Sequence, residues 1–424
     1  MLINIKGIGF KRADEIAKAL GIDVKSPFRI KACLNYTLRE YCDNNGNSSI
    51  DKFHLYKLLD DSLRFSKEEI LYENILVEML AKEEIYSTSE NRIALSMLYY
   101  CEKKILDFFN IRKDSKNKKI IDNFEEYLEK KQKTLGFTLS SEQQKAVELI
   151  NSGEKTLFLI GYAGTGKSTS SRAILELLEE IVSYDDIIAI ALSGIASQRI
   201  SDTTGYNAST IQSLLVKHKE KDFFPYKVIL LDEASMVNSV TFAQIISKIS
   251  DDTIFIIVGD DGQLPAIGAG NILADSIKYE LAPICKLTKI YRQNENQAIA
   301  VIANDIRKGE LPNYKEEYED FKFVDVSIGN YYSMKNSLSQ NEFSDMRGEN
   351  SEYILNNILN IASNYIQNYY DFIKEKNIGK ALTLFQVITP MKGGVLGVEN
   401  LNIELQRLFN HTKNKSLKIK EIEY

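Results

Sequence analysis

The run TLFLIGYAGTGKSTSSRAILELL carries the spacing Gly161-x4-Gly166-Lys167-Ser168. An apolar stretch ends at Gly161, a glycine-rich turn follows, and from Lys167 apolar residues recur at helical spacing. Glycines at 161, 164 and 166 let the backbone turn tightly and bring its N–H groups onto phosphate oxygens. The following helix directs the positive end of its dipole at the same place. The spacing predicts a site for the phosphates of a nucleoside triphosphate, built from Gly161, Ala163, Gly164, Thr165, Gly166, Lys167, Ser168 and Thr169. Lys167 brings a point charge to the β- and γ-phosphates, and the Ser168 hydroxyl can ligate Mg2+.

Three more runs hold groups suited to the same ligand. KVILLDEAS ends a strand-like stretch in Asp232 and Glu233, positions for a magnesium-holding aspartate and for a carboxylate that orients or deprotonates the attacking water. IFIIVGDDGQLP ends another in Gly259 and Asp260, followed by Gln263, whose amide can hydrogen-bond a γ-phosphate and report its presence. LTKIYRQ supplies Arg292, a planar cation suited to a phosphate in a cleft between lobes. Lys167, Asp232, Glu233, Gln263 and Arg292 are the candidate catalytic residues, with Ser168 and Asp232 the candidate metal ligands and ATP with Mg2+ the expected ligands.

The elements that must position these groups are legible from residue 139 onward. Apolar, β-branched runs TLFLIG, DIIAIAL, KVILLD and DTIFIIVGD alternate with helical or loop segments, the signature of a parallel sheet covered on both faces. The expected fold is α/β, a RecA-like lobe over 139–285 followed by a second, incomplete RecA-like lobe over 286–424. In that second part AIAVIANDIRKG and SEYILNNILNIASNYIQNYYDFIKEK read as helices, FKFVDV and ALTLFQVITP as strands. Ahead of both lobes, residues 1–60 read as helical and 61–138 as helical or winged-helix-like, closing in a charged connector with one solvated helix, RKDSKNKKIIDNFEEYLEKKQKTLGF. Gly7 and Gly9 precede a helix start in IKGIGFKRADEIAKALGI, which fits either a helix-hairpin-helix turn presenting N–H groups to a DNA phosphate or a plain surface turn.

At 424 residues, with 44% hydrophobic and 26% charged side chains, the chain has ordinary globular composition and room for two or three domains. No apolar run is long enough to cross a bilayer, and the N-terminus lacks the apolar core of a signal peptide, so no membrane partner and a cytoplasmic location are expected. Cys33, Cys42, Cys101 and Cys285 form no C-x-x-C pair, and His54, His218 and His411 complete no metal-ligand spacing, so all seven read as structural. A net charge of −6 decides little about nucleic acid, because a narrow channel needs only local positive potential.

In order along the chain, Gln143 in LSSEQQKAV, the phosphate loop, SGIAS, STIQSLL, DEASM, GDDGQLP, IYRQ and VITPMKGGVLGVENLN resemble the superfamily 1 DNA helicases of the RecD/TraA branch. The N-terminal GIGFKRADEIAKALGI and SPFRIKACLNYTL resemble the helical extension of the stand-alone RecD-like helicases. The resemblance implies an ATP-dependent helicase or translocase moving five-prime to three-prime on single-stranded DNA, with duplex junctions as substrates, in recombination and repair. It implies that Gln143 reads the adenine ring and that Ser193, Thr210, Gln212 and Thr389 fall in the segments that run along single-stranded DNA, with Gln212 where relatives often carry His.

Two departures accompany the resemblance. Only VKHKEKDFFPYK separates STIQSLL from VILLDEAS, short for the hairpin insertion such helicases use to split a duplex. The chain stops at KSLKIKEIEY, before the family's later motifs, so a truncated helicase is expected, with a second chain carrying those motifs as a further partner. The alternative on these grounds is an ATP-binding, non-motor DNA-binding scaffold.

Overall fold

The computed structural model describes residues 10–64, 69–136, 138–162, 164–289, 298–313, 318, 321–324, 340–377, 380–381, 384–409, 418–419 and 422–423. The chain divides into two compact units, Met1–Glu295 and Asn296–Tyr424.

The first unit opens with α1 (Phe10–Ala19), α2 (Pro27–Asn45), β1 (Ser49–Asp51), α3 (Lys52–Leu63), α4 (Glu69–Ala81), β2 (Ile85–Ser89) and β3 (Arg92–Leu95). The strands form an antiparallel sheet in the order β1-β3-β2, Ile50 pairing with Ile93 and Tyr86 with Ala94. This helix–strand–helix–helix–hairpin order is that of a winged helix, and its sheet draws strands from both sides of residue 60, the expected boundary between the two helical regions. Its core gathers Ile30, Leu34, Leu38, Leu55, Leu59, Tyr72 and Leu76. The helix that such folds lay in a DNA groove is α4, EILYENILVEMLA, which holds no Lys or Arg and exposes Glu69, Ile70, Val77 and Glu78. Its surface is therefore unsuited to phosphates. Gly7 and Gly9 lie outside the described residues.

Next come α5 (Ser96–Lys113), α6 (Phe124–Leu135), α7 (Ser141–Asn151), β4 (Thr156–Gly161), α8 (Lys167–Leu178), β5 (Ile187–Ala191) and α9 (Gly194–Thr204). They are followed by β6 (Ala208–Thr210), α10 (Ile211–Lys217), β7 (Val228–Leu231), α11 (Ser239–Ile246), β8 (Ile254–Gly259), α12 (Ile272–Lys278) and β9 (Ile284–Leu287). The strands make a parallel sheet in the order β6-β5-β7-β8-β4-β9. Every residue of β4, β5, β7 and β8 is buried because helices cover both faces. Alternate side chains divide between two cores: Phe158, Ile160, Ile190, Ile229, Phe255 and Ile257 meet α5, α11 and α12, while Leu157, Leu159, Ala189, Leu230 and Ile256 meet α7 and α8.

The helix expected to be solvated in the charged connector is packed instead. Leu128 of α6 is buried, and Phe124 and Tyr127 lie against the same core as α7 and α8. The loop before it is pinned by Asn151, whose side chain accepts from Ile121 N at 2.9 Å and donates to Ile121 O at 3.1 Å. Spacing of Phe124, Tyr127 and Leu128 at i, i+3 and i+4 defines an apolar stripe that the surrounding lysines and glutamates obscure. The N-terminal region is joined to the sheet as well. Ile105 and Phe109 of α5 enter the sheet's core, Ala269 enters the winged-helix core, and Gly270 N donates to Gly46 O at 3.0 Å.

Between α10 and β7 the chain forms a tight connection with no strand. Lys248 Nζ donates to the carbonyls of His218 at 3.2 Å and Lys219 at 3.0 Å, closing the end of α10. His218 is buried between Phe224 and Tyr226. Burial pushes the thiols of Cys33, Cys42 and Cys285 up to about 11, far from the thiolate form a reactive cysteine needs.

The second unit holds helices over Ala298–Lys308, Gln340–Ser363, Ile366–Lys374 and Val398–Phe409, and a short ladder pairing Lys418 with Glu423. The long helix expected from SEYILNNILNIASNYIQNYYDFIKEK is broken at Asn364 and Tyr365. The strands expected at FKFVDV and ALTLFQVITP are not formed at 321–324 or 384–389. An apolar run becomes a strand only when a neighbour takes its N–H and C=O groups, and no strand pairs with either run among the described residues. No described helix is long and apolar enough to cross a membrane.

Candidate nucleotide site

A parallel sheet brings all its C-terminal strand ends to one edge, where ligands collect. Lys167 follows β4, Asp232 and Glu233 follow β7, and Gln263 follows β8, which lies between those two strands. A cavity of about 300 Å³ there is lined by Gly164, Gly166, Lys167, Ser168, Asp232, Glu233 and Gln263, together with Tyr162 and residues of α9. Groups spread over a hundred residues of sequence thus share one cavity.

The loop's glycines are dictated by space and by backbone. A Cβ on Gly161 would stand 2.5 Å from Thr165 Oγ1 and 2.9 Å from Leu287 Cβ. Gly166, the N-cap of α8, adopts φ 85°, the left-handed region that favours glycine. Thr165 is buried and its hydroxyl donates to Tyr162 O at 2.8 Å, closing the turn from within. Lys167 Nζ donates to Gly161 O at 2.5 Å and Tyr162 O at 3.1 Å, so the ammonium is folded onto its own loop. Burial holds Lys167 below its ordinary pKa; Asp260, Glu233 and Asp232 act the other way, and Arg199 adds to the depression.

Asp232 is pushed above the usual carboxylate range, first by burial and then by Glu233, with Lys167 and Arg199 opposing. A carboxylate in that setting gains from a cation beside it, and Ser168 supplies a hydroxyl on the same cavity wall. Glu233 has φ 52° and ψ 44°, a conformation rare for a residue with a Cβ and held here by the turn Ala234–Met236. Its Oε2 is buried with no hydrogen-bond partner, on a residue that lines the cavity. These features fit a Mg2+–nucleotide: a metal-seeking carboxylate, a second carboxylate with an unpartnered oxygen and an ammonium that donates to loop carbonyls.

Gln263 is exposed and its Oε1 accepts from Ser235 Oγ at 3.2 Å, which ties it to the turn after Glu233. Asp260 is buried and accepts from Gly262 N at 2.9 Å. Gln143 lies beside the phosphate loop, 4% exposed. Its Oε1 accepts from Ser140 N at 2.9 Å, its own N donates to Ser140 Oγ at 3.2 Å, and Nε2 stands 3.5 Å from Gly166 O. The amide therefore closes a capping box at the start of α7 and braces the loop.

The other sequence candidates fall elsewhere. Ser193 is the N-cap of α9, accepting from Ala196 N at 3.1 Å, and Thr210 is the N-cap of α10, accepting from Ser213 N at 3.2 Å. Both stand where β5 and β6 end, towards the sheet edge beyond the nucleotide strands, and Gln212 is exposed on α10. Thr389, in the second unit, donates to Leu396 O at 2.7 Å and accepts from Met391 N at 3.3 Å, within a turn. Thr169 is half-buried in the first turn of α8. Ala163 and Arg292 lie outside the described residues.

Two further residues, one in the cavity wall and one beside Gln143, are not marked by the sequence motifs. Arg199 of α9 reaches the cavity wall. Glu142, beside Gln143, accepts from Thr288 N at 2.8 Å and Thr288 Oγ1 at 2.5 Å, anchoring the exit of β9 to α7. The Thr288 hydroxyl, with burial opposing, holds the Glu142 carboxyl below its usual range. Neither residue is assigned a role by the motifs quoted above, and only the fold shows what each meets.

The family described as AAA domain matches residues 138–327, and that described as ATP-dependent RecD2 DNA helicase HHH domain matches residues 1–49. The ATP-dependent RecD2 DNA helicase of Deinococcus radiodurans is 26% identical over 96% of this chain and 53% of its own length. The RecBCD enzyme subunit RecD of Mycolicibacterium smegmatis is 27% identical over 41% of this chain and 37% of its own. A solved structure of the Pif1 helicase from Candida albicans is 24% identical over 42% of this chain and 45% of that one, with a TM-score of 0.32. The chain thus spans about half the length of the Deinococcus relative.

Proposed function

We propose, for a chain that belongs to the RecD-like superfamily 1 helicases, that it hydrolyses ATP and couples hydrolysis to five-prime to three-prime movement along single-stranded DNA, opening duplex junctions in recombination and repair. The observation that carries the reading is the one cavity shared by Lys167, Ser168, Asp232, Glu233 and Gln263.

Lys167 would leave its loop carbonyls for the β- and γ-phosphates, a stronger partner for an ammonium. Ser168 and Asp232 would hold Mg2+, which when bound neutralises phosphate charge as the leaving group departs. The free Oε2 of Glu233 would take the proton of the attacking water. Gln263 would sense the γ-phosphate and pass its presence to Ser235. Arg292 would complete the charge at the γ-phosphate.

Single-stranded DNA would pass Ser193, Thr210, Gln212 and Thr389, meeting hydroxyls and amides rather than a base-reading helix. Binding should then be indifferent to sequence and fall steeply with salt, because it proceeds by displacing cations from phosphates. Fluorescence anisotropy with mixed-sequence and homopolymer strands across a salt series measures both features. Sequence-specific binding that survives high salt would sink this assignment.

The decisive experiment is an ATPase assay with and without single-stranded DNA, followed by translocation on strands blocked at either end. DNA-stimulated hydrolysis above the Lys167→Ala background is expected, with displacement of a block at the three-prime end. Hydrolysis indistinguishable from that background would overturn the motor and leave the scaffold reading.

A further inference from the structure

Helix α9 carries into the nucleotide cavity a cation that none of the spaced motifs assigns. Arg199 and Thr203, four positions apart and so on one helical face, line the cavity wall together with Ile200. Arg199 is exposed, and among the described residues nothing accepts from its guanidinium. The nearest acid along the helix, Asp202, is engaged by Gln198 at 2.7 Å. A planar, permanently charged fork is thus held at a cavity already rich in phosphate-binding groups, with no structural task of its own.

Its position along the site follows from topology. Gln143 and α7 pack on the flank of β4 and β9, whereas α9 packs on the flank of β5 and β6, with α8 between them. A nucleotide whose base lies towards Gln143 and whose phosphates cross Lys167 would end, at its γ-phosphate, on the α9 flank beside Asp232 and Glu233. We propose that Arg199 contacts the γ-phosphate, a cation supplied by the same lobe as the phosphate loop, and that it distinguishes ATP from ADP. This rests on the nucleotide-site reading above. Because Ser193 caps α9, the same helix would present one end to DNA and its flank to the γ-phosphate.

The test is titration of the full chain, with Mg2+, by fluorescent ATPγS and fluorescent ADP. Arg199→Ala and Arg199→Gln should each weaken ATPγS about tenfold, the value of one charge-assisted contact, and leave ADP within about twofold. Arg199→Lys should recover part of the loss, keeping charge without the fork. Melting curves should match the wild type, since the side chain makes no hydrogen bond. A wild-type chain that binds both nucleotides while the variants weaken them equally, or not at all, would overturn the role of Arg199 alone. A wild-type chain that binds neither would overturn the nucleotide site and this inference with it.

Discussion

Glu233→Gln is expected to leave nucleotide affinity nearly intact and to slow hydrolysis by about a hundredfold or more, the usual cost of removing a general base. Lys167→Ala is expected to weaken nucleotide binding itself by about tenfold to a hundredfold, because a charged contact to phosphate is lost. The split follows from what the two side chains do in the fold. Lys167 is half-buried over the loop, held by two carbonyls that a phosphate can replace. The Glu233 Oε2 has no hydrogen-bond partner, and its residue is held at the cavity by a strained backbone. Its substitution by an isosteric amide removes basicity without removing shape. Fluorescent-nucleotide titration and single-turnover phosphate release measure the two quantities separately, and an equal loss of affinity in both variants would contradict the division of labour.

Arg112→Ala should be among the most damaging changes outside the cavity. Arg112 lies in the last turn of α5 and is 5% exposed, yet it makes no ion pair among the described residues. Its Nε donates to Thr156 Oγ1 at 2.9 Å, Nη1 to Ser250 O at 3.2 Å, and Nη2 to Lys155 O at 3.2 Å and to Thr253 O. One guanidinium therefore joins the helix leaving the winged-helix region to the starts of β4 and β8. Burial lowers its pKa to about 10, against the pull of Asp251 and Asp252, and the cation remains charged at neutral pH. Truncation removes several charge-assisted bonds and strands buried carbonyls, at a cost of about 3 kcal/mol or more. Urea unfolding followed by circular dichroism, suited to a chain without Trp, should show a lower midpoint at unchanged slope. A shift equivalent to under about 1 kcal/mol would show that water replaces the guanidinium without loss.

The winged-helix region and the sheet lobe also meet after β8: the segment that holds Gln263 runs on to Gly270, where Gly270 N donates to Gly46 O and Ala269 enters the N-terminal core. A contact between two such elements cannot be read from either stretch alone.

What the sequence determined by itself is local in chemistry. The phosphate loop is contiguous, so its glycines, Lys167 and Ser168 are placed by the turn they make. Asp232, Glu233 and Gln263 each follow a continuous apolar run, and a run buried on both faces of a parallel sheet has no choice but to end at the ligand edge. Tertiary structure alone decided what depends on partners distant in the chain. The short strands β1, β2 and β3 exist because Ser49–Asp51 and Ile85–Ser89 each find Arg92–Leu95, whereas the apolar runs at 321–324 and 384–389 pair with no strand among the described residues and are irregular there. Leu128 is core because the sheet's open face needs a cover, although lysines and glutamates surround it in sequence. Glu142 meets Thr288, and Arg199 meets the cavity of Lys167, only because helices α7 and α9 flank α8 once the sheet has formed. Periodicity encodes which face of an element is buried; which element it is buried against is settled by packing, and packing acts between residues the sequence keeps far apart.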